Sequence, residues 1–133
     1  MNIYLDIDGV LLKKDCTLAN HFDEFLEFLL NNHNVYWLTT HCRGGQCDAI
    51  EHIARNNNIS EKSLENLKKI KLTDWYALKN EAIDFSKDFR WLDDFIFEKE
   101  KEVLEKNGAL QKAILINLKE NPNQLLDLTK KIY

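Results

Sequence analysis

Two acidic residues close a short apolar run near the start of the chain, and this run constrains the fold more than any other feature. Residues 3–12 read IYLDIDGVLL. Their β-branched and aromatic side chains, with Gly9 as an interruption, favour a buried strand over a helix. Because side chains alternate along a strand, Asp6 and Asp8 should point the same way. The sequence therefore predicts two carboxylates that share one small space at a strand end.

The closeness of these carboxylates predicts a bound cation. Like charges repel each other, and burying them without a counter-charge is costly. Mg²⁺ is the best candidate, because it is satisfied by one or two carboxylates, several waters and a substrate phosphate. The alternative is that Asp6 and Asp8 only end the strand and cap a turn with Gly9.

Size and composition predict a single globular domain over residues 1–133. Of the 133 residues 44% are hydrophobic and 30% are charged, with one proline and four glycines, which is typical of a chain that buries one core. The formal net charge of −4 makes nucleic acid a less favourable partner, although a local basic patch would still allow it.

The sequence predicts neither export nor a membrane anchor. The first strand begins without a charged and then apolar leader, and no apolar run approaches the roughly 20 residues that span a bilayer. We therefore expect a cytoplasmic protein with free thiols at Cys16, Cys42 and Cys47. His41, Cys42, Cys47 and His52 could act as zinc ligands, but their spacing matches no familiar zinc motif.

A second apolar run leads into a polar, glycine-containing loop. Residues 35–38 predict a strand, residues 39–45 read TTHCRGG, and a helix is expected over about residues 46–55. Hydroxyls, exposed amides and a helix N-terminus favour anion binding here, although either threonine could instead cap the helix. His41 and Arg43 would then contact a substrate phosphate or remain polar surface residues.

A third apolar run ends in adjacent acids. Residues 89–94 read FRWLDD, which repeats the pattern of the opening stretch. Neighbouring residues of a strand face opposite sides, so Asp93 and Asp94 should play different roles unless the backbone turns between them.

Helices fill the segments between these runs. Apolar spacing predicts helices over about residues 20–32, 60–68 and 99–106, one from Asp74 that carries Lys79, and a last one after Pro122. Residues 113–118 predict a further buried strand. Alternating strands and helices imply a three-layer α/β sandwich with a mainly parallel sheet, in which active groups gather at the carboxyl ends of the strands.

The pattern Asp-x-Asp-Gly-Val after an apolar strand resembles the first signature of the haloacid dehalogenase-like (HAD) hydrolases, which are mostly magnesium-dependent phosphatases. Thr39 matches the Thr or Ser of the second motif of that family, with Thr40 as the alternative. The resemblance assigns the lysine of the third motif to Lys79. Lys71 is the alternative, but it lies further from the strand that ends in Asp93 and Asp94. It covers nearly the whole chain as an architecture and is specific at four short motifs.

The resemblance also matches the pair of acids at the end of the third run to the fourth motif and implies a mechanism. Asp6 would attack phosphorus and form an aspartyl-phosphate, while Asp8 would protonate the leaving oxygen and later take a proton from water. Mg²⁺ would be held by the side chains of Asp6 and Asp93 and by the backbone carbonyl of Asp8. Asp94 would be a further ligand or would support the others. Thr39 would bind the phosphate together with Lys79.

The resemblance implies a HAD-type fold, and the short segments between the motifs leave no room for the sizeable cap domain that many relatives insert. Predicted helices occupy much of the chain between Asp8 and Thr39 and between Thr39 and Lys79, so the site should be open to a phosphorylated substrate of unknown class. Some uncapped relatives close their site by oligomerising, which makes a homo-oligomer compatible with the resemblance. The alternative is a non-catalytic phosphate- or magnesium-binding module on the same fold. A response-regulator receiver is disfavoured, because its acids, hydroxyl and lysine come in another order.

Overall fold

Short strands alternate with helices along the chain. The computed structural model describes residues 1–132 and contains, in chain order, β1 (Asn2–Leu5), α1 (Phe22–Asn32), β2 (Asn34–Trp37), β3 (Cys42–Arg43), β4 (Gln46–Cys47), α2 (Ala49–Ala54), α3 (Glu61–Lys69), β5 (Phe89–Asp93), α4 (Glu98–Lys106), β6 (Ala113–Leu115) and α5 (Gln124–Lys130). Two 3₁₀ turns, Lys79–Ala82 and Leu110–Lys112, precede β5 and β6.

Four of these strands form one parallel sheet in the order β2-β1-β5-β6. The chain passes from β1 to β2 on one side and then crosses back to β5 on the other side, so the direction of winding reverses between β1 and β5. In sheets of this kind, ligands bind outside the carboxyl ends of the strands at that reversal. The prediction of an α/β fold with a parallel sheet is confirmed, and the architecture is compatible with a Rossmann-like sandwich.

Separate apolar clusters cover the two faces of the sheet. Leu5 of β1 belongs to the same cluster as Phe25 of α1. Trp91 of β5 lies on the opposite face and shares a cluster with Trp75 and with Leu104 of α4. These five side chains are at most 4% exposed. The alternation of β-strand side chains thus anchors helices on both faces and leaves the strand ends free to carry polar groups.

The helix predicted over residues 46–55 begins later than expected, because its first part forms a hairpin. Cys42 pairs with Cys47 and Arg43 with Gln46 in the antiparallel β3–β4 pair. The intervening Gly44 and Gly45 have φ values of +60° and +83°, the conformation that tight two-residue hairpin turns require.

The expectation of three free thiols is wrong for Cys42 and Cys47, which form a disulfide. The two residues lie directly opposite each other in the hairpin, and this juxtaposition is not visible in their sequence spacing. Cys16 is the free cysteine of the described residues.

The helix predicted from Asp74 is also wrong. The chain runs as a loop until the 3₁₀ turn at Lys79. The Glu81 carboxylate accepts hydrogen bonds from the backbone amides of Tyr76, Ala77 and Leu78 at 3.1, 3.2 and 2.8 Å. These bonds give all three amides a partner and hold the loop in an irregular path.

The remaining elements agree with the sequence except at their ends. Ser60 caps α3 by accepting a hydrogen bond from the Ser63 amide, as expected. Helix α1 begins after His21, whose φ is +65°, so Asn20 is not its cap. The last strand, β6, is an edge strand, and Leu115 is 54% exposed instead of buried. Within residues 1–132, no helix is both long enough and apolar enough to span a membrane.

Candidate functional site

Three carboxylates and one lysine meet at the carboxyl ends of β1 and β5. Asp6 follows β1, Asp93 ends β5, and Asp94 comes next; each offers an oxygen within 4.8 Å of the others. Lys79 Nζ lies 2.7 Å from Asp93 Oδ2 and 3.4 Å from Asp6 Oδ2. We call these four residues the acid–lysine cluster.

The parallel register brings the first two acids together. Leu5 of β1 lies beside Leu92 of β5, and the Asp6 amide donates a hydrogen bond to the Leu92 carbonyl at 3.1 Å. Asp6 and Asp93, which follow these two leucines, therefore lie side by side. Asp6 and Asp93 are only 7% and 1% exposed, so the sheet itself positions two buried carboxylates side by side.

Gly9 allows the third acid to approach. Its φ is +79°, and a Cβ atom at this position would lie 2.4 Å from Asp94 Oδ2. A Cβ atom cannot come so close unless Asp94 moves, so Gly9 leaves room for the carboxylate that follows β5. The backbone turn after β5 brings Asp94 to the same group as Asp93, although neighbouring strand residues would face apart.

Asp93 is held by several donors. Trp91 Nε1 donates to Asp93 Oδ2 at 3.2 Å, and the Phe95 amide donates to Asp93 Oδ1 at 3.2 Å. Together with Lys79, these donors satisfy both oxygens of a carboxylate that is almost fully buried. The orientation of Asp93 is therefore set before any ligand binds.

Glu100 positions the lysine and was not predicted as a site residue. It is 2% exposed; its Oε2 accepts a hydrogen bond from the Lys79 amide at 2.8 Å, and its Oε1 accepts one from the Phe97 amide at 3.0 Å. It thereby ties the loop that carries Lys79 to the first turn of α4. The signal that would have found it is an acid in the first turn of a helix directly after the last motif.

The acid–lysine cluster carries more negative than positive charge. Burial, and then the neighbouring Asp93 charge, raise the pKa of Asp6 to about 8 despite the opposing effect of Lys79. Burial and Asp93 likewise raise the pKa of Asp94 to about 6. Burial lowers the pKa of Lys79, but Asp6 and Asp93 raise it by more, so the ammonium stays charged. A further cation would favour the ionised acids.

The donor set of the acid–lysine cluster fits Mg²⁺. All three acidic members offer carboxylate oxygens, the ligands that this hard ion prefers, and they are few enough to leave positions for water and phosphate. Three carboxylates beside one ammonium leave excess negative charge, which also favours a divalent cation.

Asp8 contacts a different group of side chains from Asp6, although both carboxylates line one cavity. Its carboxylate oxygens face His52 Nε2 at 2.7 Å and His41 Nε2 at 2.9 Å, and His41 Nδ1 faces Asp48 Oδ1 at 3.2 Å. Burial raises the pKa of Asp8, but the hydrogen bonds from His52 and His41 lower it by more. We call Asp8, His41 and His52 the Asp8–histidine cluster. His52 was considered in the sequence only as a zinc ligand, and the link to Asp8 was missed.

One cavity of about 380 Å³ contains the whole acid–lysine cluster and reaches Asp8 of the other cluster. Its polar lining consists of Asp6, Asp8, Thr40, Arg43, Lys79, Asp93, Asp94 and Glu100, and its apolar lining of Trp75, Ala77, Phe95 and Phe97. Most of the site residues that the sequence predicts are therefore brought to one opening at the strand ends.

The preference for Thr39 over Thr40 is not supported by this geometry. Thr39 is fully buried, and its hydroxyl accepts a hydrogen bond from the His41 amide at 3.3 Å. Thr40 lines the cavity beside Asp6 and Asp8. Thr39 thus holds the loop, and Thr40 presents its side chain to the opening.

The predicted cationic residues Arg43, His41 and Lys79, and the alternative Lys71, occupy different positions. Arg43 lies over the Trp75 ring at 4.9 Å and donates a hydrogen bond to the Tyr76 carbonyl at the rim of the cavity. His41 contacts carboxylates rather than facing open space. Lys71 places its ammonium 5.5 Å from the centroid of the Tyr36 ring, so Lys79 is the lysine that the fold brings to the acids.

Comparison with known proteins does not identify a relative. No family model, curated protein or solved structure matches the chain. Its function is therefore inferred from its own residues and their arrangement.

Proposed function

We propose that this protein is a magnesium-dependent phosphomonoester hydrolase of the HAD type that acts through an aspartyl-phosphate. The observation that carries the proposal is the acid–lysine cluster: three carboxylates and a buried ammonium at the reversal point of a parallel sheet, in one cavity with Asp8 and Thr40. This arrangement suits a dianionic phosphate, because it pairs a nucleophilic oxygen with positive charge.

Asp6 is the proposed nucleophile. One of its oxygens attacks phosphorus, the bond from phosphorus to the ester oxygen breaks, and the electron pair goes to the leaving oxygen. Water then attacks the phosphorus, the bond to Asp6 breaks, and the carboxylate is regenerated. Lys79, 3.4 Å from Asp6, stabilises the charge on the transferring group, with Thr40 and Arg43 as further phosphate contacts.

Asp8 is the proposed acid and base. Its lowered pKa keeps the carboxylate ionised, so in the second step it can take a proton from water. In the first step an imidazolium form of His41 or His52 gives a proton through Asp8 to the leaving oxygen and becomes neutral, and the proton that Asp8 later takes from water returns to that ring. The contacts of 2.9 and 2.7 Å between these rings and Asp8 are within the range of proton transfer.

Asp6, Asp93 and Asp94 would hold the Mg²⁺, together with the Asp8 backbone carbonyl that the resemblance implies. The ion would offset the repulsion between the anionic nucleophile and the anionic phosphate. Asp93 serves this role best, since Trp91 and Phe95 already fix its orientation.

The proposed uncapped form agrees with the loops around the cavity. The chain between β2 and α2 contains only the small β3–β4 hairpin, and the chain between α3 and β5 contains a single 3₁₀ turn. Neither segment has the size of a separate domain, so the phosphate of a bulky substrate would reach Asp6 from solvent.

Hydrolysis of a generic aryl phosphate tests the proposed function. We expect turnover that requires Mg²⁺ and falls by about 1,000-fold or more in Asp6→Asn, since removal of a nucleophile leaves only binding and electrostatic effects. Asp127→Asn, a change of the same type on the exposed side of α5, should keep full activity. Full activity in Asp6→Asn would exclude Asp6 as the nucleophile.

A non-catalytic module remains the second candidate, because Asp8 is engaged by two histidines and has a lowered pKa. A module of this kind would bind Mg²⁺ through the acid–lysine cluster without turnover. Calorimetric Mg²⁺ binding that is lost in Asp93→Asn, with no hydrolysis of a panel of phosphomonoesters, would favour this alternative.

A further inference from the structure

We propose that the Asp8–histidine cluster is a second metal site, suited to Zn²⁺ or a similar borderline transition ion and distinct from the acid–lysine cluster. Asp8, His41 and His52 each offer a ligand atom within 4.8 Å of the others. A carboxylate oxygen and two imidazole nitrogens form a mixed set that such ions prefer, whereas Mg²⁺ prefers oxygen alone.

The ligand atoms already converge. The two Nε2 atoms lie 2.9 and 2.7 Å from the Asp8 oxygens, and the imidazole rings stack with centroids 3.8 Å apart. Tetrahedral Zn²⁺ with bonds of about 2.0–2.1 Å separates its ligand atoms by roughly 3.3 Å. Each nitrogen is therefore within about 0.6 Å of that spacing from one of the two Asp8 oxygens.

The second nitrogen of His41 points to the same conclusion. Nδ1 faces Asp48 Oδ1 at 3.2 Å while Nε2 faces Asp8. An Nδ1–H that donates to Asp48 leaves Nε2 available to replace its hydrogen bond to Asp8 with a bond to a metal shared with Asp8. A carboxylate on the far nitrogen is also the usual support of a metal-bound histidine.

Local backbone structure holds the ligands in place. The Asp48 amide donates to the His41 carbonyl at 3.0 Å, and the His52 amide donates to the Asp48 carbonyl at 2.9 Å. The Cys42–Cys47 disulfide closes the hairpin between His41 and Asp48. Two ligands and the supporting carboxylate therefore belong to one rigid unit, and only Asp8 comes from elsewhere in the chain.

The site has an open side. The Asp8 side chain is 55% exposed, against 22% for His41 and 15% for His52, and Asp8 lines the cavity that contains Asp6. Three protein ligands with one accessible position leave room for a water or a substrate oxygen.

Occupancy of this site has a consequence that rests on the proposed function. A metal on Asp8 and on both Nε2 atoms removes the protons that these groups would pass to the leaving oxygen. Zn²⁺ should therefore inhibit Mg²⁺-saturated phosphatase activity, and a chelator selective for Zn²⁺ should restore it.

Binding of Zn²⁺ and Co²⁺ to the tag-free protein tests the proposal without reference to activity. We expect one equivalent of Zn²⁺ by calorimetry and visible absorption bands of tetrahedral Co²⁺. His52→Ala and Asp8→Asn should weaken binding by about 100-fold, because each removes a ligand, and Asp48→Asn should weaken it by about 10-fold through lost support.

Three matched variants separate the alternatives. His21→Ala, which removes a histidine outside the cluster, and Asp6→Asn, which disables the other cluster and the proposed nucleophile, should both bind Zn²⁺ like the wild type. The double variant Cys42→Ser/Cys47→Ser should retain the Co²⁺ bands without sulfur-to-metal charge transfer. Absence of stoichiometric Zn²⁺ binding by the wild type, or equal binding by a folded His52→Ala variant, would overturn the proposal whatever the outcome for hydrolysis.

Discussion

Gly9 leaves a space that the Asp94 side chain occupies. The glycine adopts a φ of +79°, and a Cβ atom at this position would overlap the Asp94 carboxylate, 2.6 Å from its Cγ. Both the backbone conformation and the contact exclude a side chain. Glycine is therefore required at position 9 because Asp94 occupies the space of its side chain.

Gly9→Ala should therefore lower both stability and Mg²⁺ affinity. The positive φ costs about 1–2 kcal/mol, and displacement of Asp94 removes an oxygen from the acid–lysine cluster. Denaturant unfolding and Mg²⁺ titration measure the two effects. Gly108→Ala is the matched control, because Gly108 has a φ of +64° but no atom within 4 Å of its missing Cβ. It should lose stability alone, and unchanged Mg²⁺ affinity in Gly9→Ala would contradict this account.

Among the elements, the β3–β4 hairpin does more than its length suggests. It joins the strand that leads to Thr40 with the helix that carries His52, and the disulfide spans its two strands. In the sequence, the same residues suggested the start of a helix. Two glycines with positive φ turn the chain back instead, and this turn places Asp48 beside His41.

Reduction of the disulfide should destabilise the protein by roughly 2 kcal/mol, because the unfolded chain regains the freedom of a short loop. The expected readout is a melting temperature lower by several degrees after treatment with a phosphine reductant. Cys16→Ser is the control, because Cys16 is outside the disulfide. This variant should have the melting temperature of the wild type under oxidising conditions, and the reductant should lower it by the same amount. If the reductant leaves the melting temperature of the oxidised wild type unchanged, the hairpin is stable without the bond.

At the scale of the whole molecule, the sheet concentrates buried acids at one edge, and this affects the pH dependence of folding. Asp6 has a pKa of about 8 in the folded protein and Asp94 one of about 6, against about 3.9 for an unperturbed aspartate. The folded state thus binds these protons more tightly than the unfolded state. Their stabilising contribution is complete below about pH 4 and is lost as pH rises to about 8 for Asp6 and about 6 for Asp94.

The metal-free protein should therefore become less stable between about pH 5 and pH 8, and Mg²⁺ should offset the loss, because it favours the ionised acids. Urea unfolding at several pH values, with and without Mg²⁺, measures this. In Asp6→Asn the decline above about pH 6 should be largely abolished, since Asp94 has titrated by then. A wild-type decline that persists unchanged in Asp6→Asn would mean that another group is responsible.

Local patterns in the sequence predicted much of the fold. The apolar runs that end in Asp6 and Asp93, the helical spacing of α1 and α3, and the alternation of the two element types depend on neighbouring residues, and all are present. The parallel sheet follows from that alternation, since parallel strands need a crossover connection between them. Because the carboxyl ends of parallel strands share one edge, even the meeting of distant acids could be anticipated.

The partners of each site residue depended on tertiary structure. The sequence placed Asp8 near Asp6, and both line one cavity, but the path of the chain after β1 and the turn of the hairpin also bring Asp8 to His41 and His52. In the same way, burial of Thr39 leaves Thr40 in the cavity. The Cys42–Cys47 bond likewise depends on a contact that no spacing reveals. Periodicity is a property of adjacent residues, whereas these contacts depend on strand register and loop path, which only the packed chain determines.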